Sequence, residues 1–289
     1  MKYIIQLLRP QQWLKNLFIF MPLFFGGELF NINNLLVSLA TFISFCLVAS
    51  GIYCINDVKD VESDRLHPIK CHRPIASGAI SPFSAIFISI SLLCMSISIA
   101  LITVGIELVC ILFVYIVINF IYCLWIKQFA LVDVFIIAIG FILRLIAGSI
   151  ATNIALSHWI VLMTFLLALF LALAKRRDDV IIFEQEGKKM RKNISHYNLP
   201  FLDTIISITV SVTLVCYLMY TFSDDVISRT NSPHIYFTSL FVILGMFRYL
   251  QITIVEKKSG SPTKILLKDT LIQLCVIGWI LCFILILYF

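Results

Sequence analysis

Three aspartates near residue 60 are the side chains of this sequence best suited to chemistry. Asp57, Asp60 and Asp64 are spaced so that, on an α-helix, all three carboxylates lie on one face. Like charges at this spacing repel each other, and a bound divalent cation relieves that repulsion. Mg²⁺ in proteins is typically held by carboxylates together with substrate phosphates. The pattern therefore predicts a Mg²⁺-dependent enzyme acting on a phosphorylated substrate, with Asn56 as a neutral ligand or orienting group.

An acidic surface loop is the simpler interpretation of the same residues. Acidic residues are scarce in this chain, however, with 16 among 289 residues, and four of them fall in positions 57–64. Such a concentration directly after an apolar segment favours a functional site.

Two cations, Lys70 and Arg73, follow the aspartates closely. Prolines beside them break helical structure and predict a turn that folds both side chains back over the metal. There they would neutralise phosphate oxygens, Arg73 through its planar fork and Lys70 as a point charge. Anchoring at the membrane surface is the alternative role, and it suits Lys59 and Arg65 better than these two residues.

The rest of the sequence is typical of a membrane protein. Hydrophobic residues make up 61% of the chain and charged residues 13%, and the mean hydropathy is +1.01. We predict an all-α integral membrane protein in which residues 1–289 form a single polytopic domain. Nine apolar runs predict nine spans, preceded by an interfacial helix at 3–15. The runs lie at 17–30, 35–55, 81–104, 107–126, 131–152, 157–174, 201–222, 234–254 and 266–288.

The distribution of positive charge predicts the topology. All but three of the 22 lysines and arginines lie near the N-terminus or in and beside alternate connections. By the positive-inside rule, the N-terminus and the loops 57–80, 175–199 and 256–265 face the cytoplasm. We therefore expect a multi-pass protein of the inner (plasma) membrane whose active site opens on the cytoplasmic side.

Arg144 falls inside a predicted span, where an arginine costs about 2.5–3.5 kcal/mol at mid-depth. It must therefore face a cavity, a bound anion or a partner side chain. Asp133 precedes it by three helical turns on nearly the same face. The sequence supports a structural pair of these two residues and a direct contact with substrate equally.

These motifs resemble those of the UbiA superfamily of intramembrane prenyltransferases. The stretch from Asn56 to Asp64, followed by Lys70 and Arg73-Pro74-Ile75-Ala76-Ser77-Gly78, resembles its first signature. Tyr122 and Lys127 match its Tyr-x-x-x-x-Lys element. The resemblance implies nine helices around a central cavity that opens laterally to lipid, with Mg²⁺ on the aspartates.

Within the superfamily, the sequence is most similar to the decaprenyl-phosphate phosphoribosyltransferase branch. The similar residues are Leu8-Arg9-Pro10, Gln12-Trp13, Lys15-Asn16, Asp133-Val134, Arg144, Ala147-Gly148, Ala174-Lys175-Arg176, Arg248-Tyr249, Leu267 and Asp269. The branch implies transfer of 5-phosphoribose from phosphoribosyl pyrophosphate to a polyprenyl phosphate, with release of pyrophosphate, for cell-envelope polysaccharide precursors. Nucleic acid is not an expected partner, and the sequence allows an oligomer.

The resemblance also implies roles for individual residues. Donor phosphates are assigned to Lys70, Arg73, Tyr122, Lys127, Lys175 and Arg176. The lipid phosphate, or support of the other ligands, is assigned to Lys15, Asn16, Asp133 and Arg144. How the cations divide between the phosphates is left open.

Two other functions are compatible with parts of the pattern. An aromatic prenyltransferase of the same superfamily, with a prenyl diphosphate donor and a quinone-precursor acceptor, shares the first aspartate motif. Such enzymes carry a second Asp-x-x-x-Asp motif, whereas here Asp178 and Asp179 are adjacent, in a region rich in lysine and arginine. A transporter would distribute ionisable residues through the bilayer and often repeat its topology. Here they crowd one side.

Overall fold

A computed structural model describes residues 2–66, 70–186, 192–230 and 232–288. Over these residues the chain is helical, with turns and no β-strand. The α-helices are α1 (Lys2–Leu8), α2 (Met21–Phe25), α3 (Ile32–Lys59), α4 (Val61–Arg65), α5 (Pro82–Thr103), α6 (Ile106–Leu124), α7 (Val132–Thr152), α8 (His158–Glu186), α9 (Leu199–Thr221), α10 (Asp224–Thr230), α11 (Ser239–Leu250), α12 (Pro262–Lys268) and α13 (Thr270–Tyr288). Shorter 3₁₀ helices cover Pro10–Phe20, Lys70–His72, Ile126–Gln128, Lys192–His196 and Pro233–Thr238, and a π-helical turn covers Gln251–Val255.

Eight of the helical segments in the described ranges are long and apolar enough to cross a membrane. They are Ile32–Lys59, Pro82–Thr103, Ile106–Leu124, Val132–Thr152, His158–Gln185, Leu199–Thr221, His234–Val255 and Thr270–Leu287. The all-α multi-pass class is therefore confirmed. The count of nine spans and the cytoplasmic N-terminus stay predictions.

The N-terminal region differs from the interfacial helix predicted for 3–15 and the span predicted for 17–30. Pro10 disfavours the α conformation of the residue before it, and Arg9 adopts a left-handed conformation with φ of 53°. Helix α1 therefore ends at Leu8, and the chain continues as a 3₁₀ helix to Phe20. The short helix α2 then stops at Phe25, directly before two glycines.

Parts of the predicted cytoplasmic loops are helical in the structure. Helix α8 continues to Glu186, so the first dozen residues of the predicted loop 175–199 are helical. The beginning of the predicted loop 57–80 is likewise helical, in α3 and α4, and α12 occupies the end of 256–265. Residues 67–69 and 187–191 of these loops, which include the basic cluster at 188–191, lie outside the described residues.

The chain forms two compact units, and α7 contributes to both. The first unit comprises residues 1–124 and 143–155. Within it α3 packs closely on α5, and serine hydroxyls of α5 donate to carbonyls of α3, from Ser89 to Gly51 and from Ser96 to Ser44, each over 2.8 Å. Small residues and such interhelical hydrogen bonds are the usual means of packing helices in lipid, where the hydrophobic effect cannot drive helix association.

Gly148 brings the end of α7 against the N-terminal region of the first unit. The carbonyl of Ile19 lies where a side chain at position 148 would begin, so only glycine fits there. Arg144 lies one helical turn earlier on α7. This close approach therefore places Arg144 beside the residues before Ile19.

The second unit comprises residues 125–142 and 156–289. Polar side chains connect its helices: Trp279 donates to the Tyr217 hydroxyl over 2.7 Å, and that hydroxyl lies 2.7 Å from Thr238 Oγ1. Arg177 of α8 reaches Asp203 of α9. These bonds hold α8, α9 and the C-terminal helices together.

Candidate active site

Two arginines converge on Asp57, which is buried at the end of α3. Asp57 Oδ1 accepts hydrogen bonds from Arg9 Nη2 at 2.5 Å and from Arg73 Nη1 at 3.0 Å. The same Arg73 nitrogen donates to Asp64 Oδ2 at 2.6 Å. Asp57 and Asp64 therefore face a common position, which the Arg73 guanidinium occupies. We call Arg9, Asp57, Asp64 and Arg73 the aspartate–arginine cluster.

The third predicted aspartate, Asp60, lies at the junction of α3 and α4. Its backbone N–H donates to the Asn56 carbonyl, and its own carbonyl accepts from the Asp64 N–H. Helical hydrogen bonding thus continues through the junction. This continuity explains how Asp57 and Asp64 come to face the same way although they belong to different helices.

The chemistry of the cluster fits Mg²⁺, which prefers carboxylate oxygens. The carboxylates of Asp57 and Asp64 already converge on one cation, the Arg73 guanidinium. Across the described ranges, however, no three histidine, cysteine, aspartate or glutamate side chains are grouped as metal ligands. The assignment of Asn56, Asp57, Asp60 and Asp64 to a metal therefore stays a prediction.

Arg9 received no site role from the sequence, although it belongs to the motif Leu8-Arg9-Pro10. The Ser50 hydroxyl of α3 donates to the Leu8 carbonyl at 2.8 Å and accepts from Trp13 Nε1 at 3.1 Å. The Arg9 guanidinium lies over the Tyr53 ring, 5.0 Å from its centroid. Ser50 thus joins both sides of the turn that carries Arg9 and directs this side chain to Asp57.

A second cationic group of the first unit surrounds Arg144, which is buried. Arg144 Nε donates to Asn16 Oδ1 at 2.7 Å, and Nη2 donates to the Tyr115 hydroxyl at 2.8 Å. Asn16 in turn donates to Cys46 Sγ at 3.2 Å. Tyr115 also presents its ring to the guanidinium, at 4.9 Å. Asn16 therefore orients Arg144, and the acceptors described for Arg144 are neutral.

Lys15 adjoins this group. The pKa of Lys15 is lowered from its ordinary 10.5 to about 8. Burial is the main cause, and the positive charges of Arg144 and Arg9 contribute in the same direction. Arg9, Lys15 and Arg144 therefore create a positive field inside the first unit. An anionic phosphate bound there would be attracted by all three charges.

The lowered pKa of Lys15 predicts an alkaline limit to substrate binding. If Lys15 binds a phosphate, kcat/KM should fall as the pH rises through about 8, because the ammonium loses its proton. Thermal stability should instead rise with pH in this range. Lys15 keeps its proton up to about pH 10.5 in the unfolded chain but loses it near pH 8 in the folded protein, so the cost of burying the ammonium shrinks as the pH rises. Rate and unfolding measurements between pH 7 and 10 check both trends.

The variant Lys15→Arg keeps its charge across this range, so its kcat/KM profile should lose the alkaline limb. Lys59→Arg, at an exposed lysine, is the matched control and should keep the wild-type profile. An unchanged alkaline limb in Lys15→Arg would contradict the role of Lys15.

In the second unit, Asp133 and Arg176 form a fully buried ion pair. Arg176 Nε donates to Asp133 Oδ2 at 2.7 Å, and both side chains are 0% exposed. The Tyr197 hydroxyl donates to Asp133 Oδ1 at 3.2 Å and accepts from the Leu131 backbone N–H at 2.7 Å. Asp133, which the sequence offered as a partner for Arg144, thus pairs with Arg176 instead.

This pairing changes the interpretation of Arg176 as a phosphate ligand. Its Nη1 donates to Asp179 Oδ2 at 3.2 Å, so two of its nitrogens are engaged by carboxylates. Nη2 is buried with no hydrogen-bond partner among the described residues. Arg176 therefore serves first as a structural cation of α8, and its contact with substrate stays a prediction.

Asp178 and Asp179 are bound by different partners. Asp179 accepts from Arg176, whereas Asp178 accepts from the backbone N–H of Gly260. Adjacent residues of a helix point about 100° apart, so the separation follows from their spacing. The two carboxylates are not gathered at one position as those of Asp57 and Asp64 are.

The remaining predicted phosphate ligands are all partly buried. Lys70 begins the 3₁₀ helix that precedes Arg73. In the first unit, Tyr122 lies in the last turn of α6. In the second unit, Lys127 lies in the 3₁₀ helix Ile126–Gln128, and Lys175 lies on α8 directly before Arg176. Their roles toward phosphate stay predictions.

This helical membrane fold and its aspartate motif define an intramembrane transferase. The chain belongs to the UbiA prenyltransferase family, whose pattern matches residues 17–268. It is 32% identical over 287 residues to the decaprenyl-phosphate phosphoribosyltransferase of Mycolicibacterium smegmatis, covering 96% of this chain and 90% of the relative. It is 31% identical to the enzyme of that name from Corynebacterium glutamicum, covering 98% and 86%.

Solved structures share the fold. A UbiA homologue from Archaeoglobus fulgidus, bound to DMAPP and Mg²⁺, has a TM-score of 0.70 at 20% identity and covers 99% of both chains. A structure of digeranylgeranylglyceryl phosphate synthase has a TM-score of 0.65 at 18% identity and covers 98% of both chains. At these identities the similarity concerns the fold alone.

Proposed function

We propose that this protein transfers the 5-phosphoribosyl group from phosphoribosyl pyrophosphate to a polyprenyl phosphate of decaprenyl type, with release of pyrophosphate. One observation carries the proposal: about 30% identity, over nearly the full length, to relatives named decaprenyl-phosphate phosphoribosyltransferase. The product would serve as a precursor of cell-envelope polysaccharide. We place the enzyme in the inner membrane with its active site toward the cytoplasm.

The aspartate–arginine cluster supports binding of the donor's diphosphate. Asp57 and Asp64, with Asp60 and Asn56 beside them, would hold Mg²⁺, and Arg73 is close enough to share the diphosphate's negative charge. Bound Mg²⁺ supplies a positive charge that stabilises the departing pyrophosphate. Lys70, Tyr122, Lys127 and Lys175 are assigned to donor phosphates by the family resemblance.

The reaction needs little proton transfer. The bond between the ribose anomeric carbon and the diphosphate oxygen breaks, and its electron pair leaves with pyrophosphate. A lipid phosphate oxygen then forms the new bond to the same carbon. Because a phosphate monoester is already anionic at neutral pH, it attacks without a strong general base. The residues therefore act mainly by charge and position.

The cations of the first unit support binding of a second phosphate. Arg144 is fixed by Asn16 and Tyr115, and Lys15 lies in the same positive field. We assign these residues to the lipid phosphate or to the 5-phosphate of the donor. Two polyanionic substrates would repel each other, and fixed positive charge offsets that repulsion.

A product assay tests the proposal directly. Purified protein receives Mg²⁺ and decaprenyl phosphate with phosphoribosyl pyrophosphate, or a prenyl diphosphate with a quinone precursor such as 4-hydroxybenzoate. We expect mass spectrometry to find a phosphoribosylated lipid only in the first mixture. A prenylated aromatic product in the second mixture would assign the protein to the aromatic prenyltransferases instead.

A further inference from the structure

We propose that Arg9 is an exchangeable counter-ion of Asp57. It holds the carboxylate before the metal binds, and on metal binding it passes to the diphosphate of the donor. The inference deepens the proposed function and rests on it, because the diphosphate is that of the proposed donor. It gives the N-terminal segment, which ends far from the aspartate motif in sequence, a direct part in the site.

Both arginines bind the same carboxylate oxygen, Asp57 Oδ1. A carboxylate oxygen offers about two lone-pair positions. On Asp57 Oδ1 one is taken by Arg9 at 2.5 Å and the other by Arg73 at 3.0 Å. A metal that binds this oxygen must therefore displace a guanidinium. The two arginines compete with the metal as well as neutralising the carboxylate.

The contacts of the two arginines decide which one leaves. Arg73 also donates to Asp64 at 2.6 Å, so it keeps a carboxylate when it releases Asp57. In the described part of the chain, the carboxylate that binds Arg9 is Asp57 alone. The Arg9 and Arg73 side chains are similarly exposed, at 23% and 26%, whereas Asp57 is 2% exposed, so both arginines have room to move and Asp57 does not. Release from Asp57 therefore leaves Arg73 on Asp64 but leaves Arg9 with no carboxylate among the described residues, so Arg9 is the group that passes to the diphosphate.

The backbone around Arg9 keeps the released guanidinium close. Arg9 is a non-glycine residue in the left-handed region, which L-residues rarely adopt, so the turn must be held by its surroundings. Ser50 holds it by bonding the Leu8 carbonyl and accepting from Trp13. The Tyr53 ring already lies against the guanidinium while it bonds Asp57, and this contact does not depend on that hydrogen bond. Arg9 can thus leave Asp57 without leaving the site.

The exchange predicts opposite effects on two binding constants. In Arg9→Ala, Mg²⁺ alone should bind about 5–10-fold more tightly, because a competing cation is gone. Mg²⁺ with pyrophosphate should bind at least about 10-fold more weakly, because a charge-assisted hydrogen bond to the diphosphate is gone. A merely structural role of Arg9 would weaken both.

The measurement is calorimetric titration of the full-length protein in detergent, first with MgCl₂ alone and then with pyrophosphate at saturating Mg²⁺. Arg65→Ala is the matched control: it removes the same charge from a nearby residue that donates to the Ala76 carbonyl. We expect wild-type constants for this variant. Ser50→Ala keeps Arg9 but frees its turn, and it should weaken pyrophosphate binding by a smaller factor.

Three results would overturn the inference: weaker Mg²⁺ binding in Arg9→Ala, unchanged constants in that variant, or the same changes in Arg65→Ala. If Arg9→Ala does not fold, Arg9→Gln and Ser50→Ala carry the same test. Titration with pyrophosphate needs neither ribose nor lipid acceptor. Failure of the product assay with phosphoribosyl pyrophosphate would therefore refute the proposed function while leaving the Arg9 result to be judged by itself.

Discussion

Replacing Asp57 with asparagine should lower the transferase activity by at least about 100-fold, because asparagine keeps the shape of the side chain but removes its charge. Asp57 is the carboxylate that both arginines reach, and it bonds the same Arg73 nitrogen as Asp64 does. Without its charge the cluster holds Mg²⁺ weakly. The check is the initial rate of phosphoribosyl transfer in membranes, normalised to the amount of folded protein.

Glu62→Gln is the matched control for Asp57→Asn. Glu62 lies in α4 within the same acidic stretch but is exposed. Its replacement should leave the rate within about twofold of wild type. Size-exclusion profiles of both variants should match that of the wild type. An Asp57→Asn enzyme that retains more than about a tenth of the activity would refute the assignment of the metal and diphosphate to this cluster.

The aspartate motif shows what sequence patterns can predict. Asp57 and Asp64 are close in sequence, and helical spacing alone places them on one face. The structure brings both to Arg73, only nine residues beyond Asp64. Helical periodicity was therefore sufficient to predict this part of the site. The eight spans in the described residues were predictable for a similar reason, because each contains a long, predominantly apolar stretch.

Arg9 could not be found in the same way. It lies 48 residues before Asp57, and its direction depends on a left-handed turn held by Ser50. No local pattern encodes that contact. The motif Leu8-Arg9-Pro10 did indicate a helix end at this point, since the α conformation is disfavoured for a residue directly before proline.

The charged end of α8 is helical where the sequence predicted a loop. Its lysines and arginines predicted a loop, because charged residues usually lie outside the membrane. The structure continues the helix, since Arg176 is neutralised by Asp133, 43 residues earlier, and Arg177 by Asp203, 26 residues later. These long-range ion pairs compensate the charges that had suggested a loop. Both partners come from outside α8, so the sequence of this segment alone could not reveal them.

Replacing Asp133 with leucine should produce the largest loss of stability in the second unit, about 3–5 kcal/mol. Arg176 would keep its charge in a fully buried position, with Asp179 as the one remaining carboxylate partner among the described residues. The Tyr197 hydroxyl would also lose its acceptor. Thermal unfolding in detergent, followed by tryptophan fluorescence, measures the effect. Asp203→Leu is the matched control, and its cost should be clearly smaller because Asp203 is 35% exposed.

The double variant Asp133→Leu with Arg176→Met separates a structural from a catalytic role. Removing both charges takes away the uncompensated cation, so most of the lost stability should return. A double variant no more stable than Asp133→Leu would contradict the pairing as the source of the loss. If the double variant is stable and active, Arg176 acts as a structural cation. If it is stable but transfers no phosphoribose, Arg176 also serves the substrate, and its Nη2, which has no partner among the described residues, is the atom available for that contact.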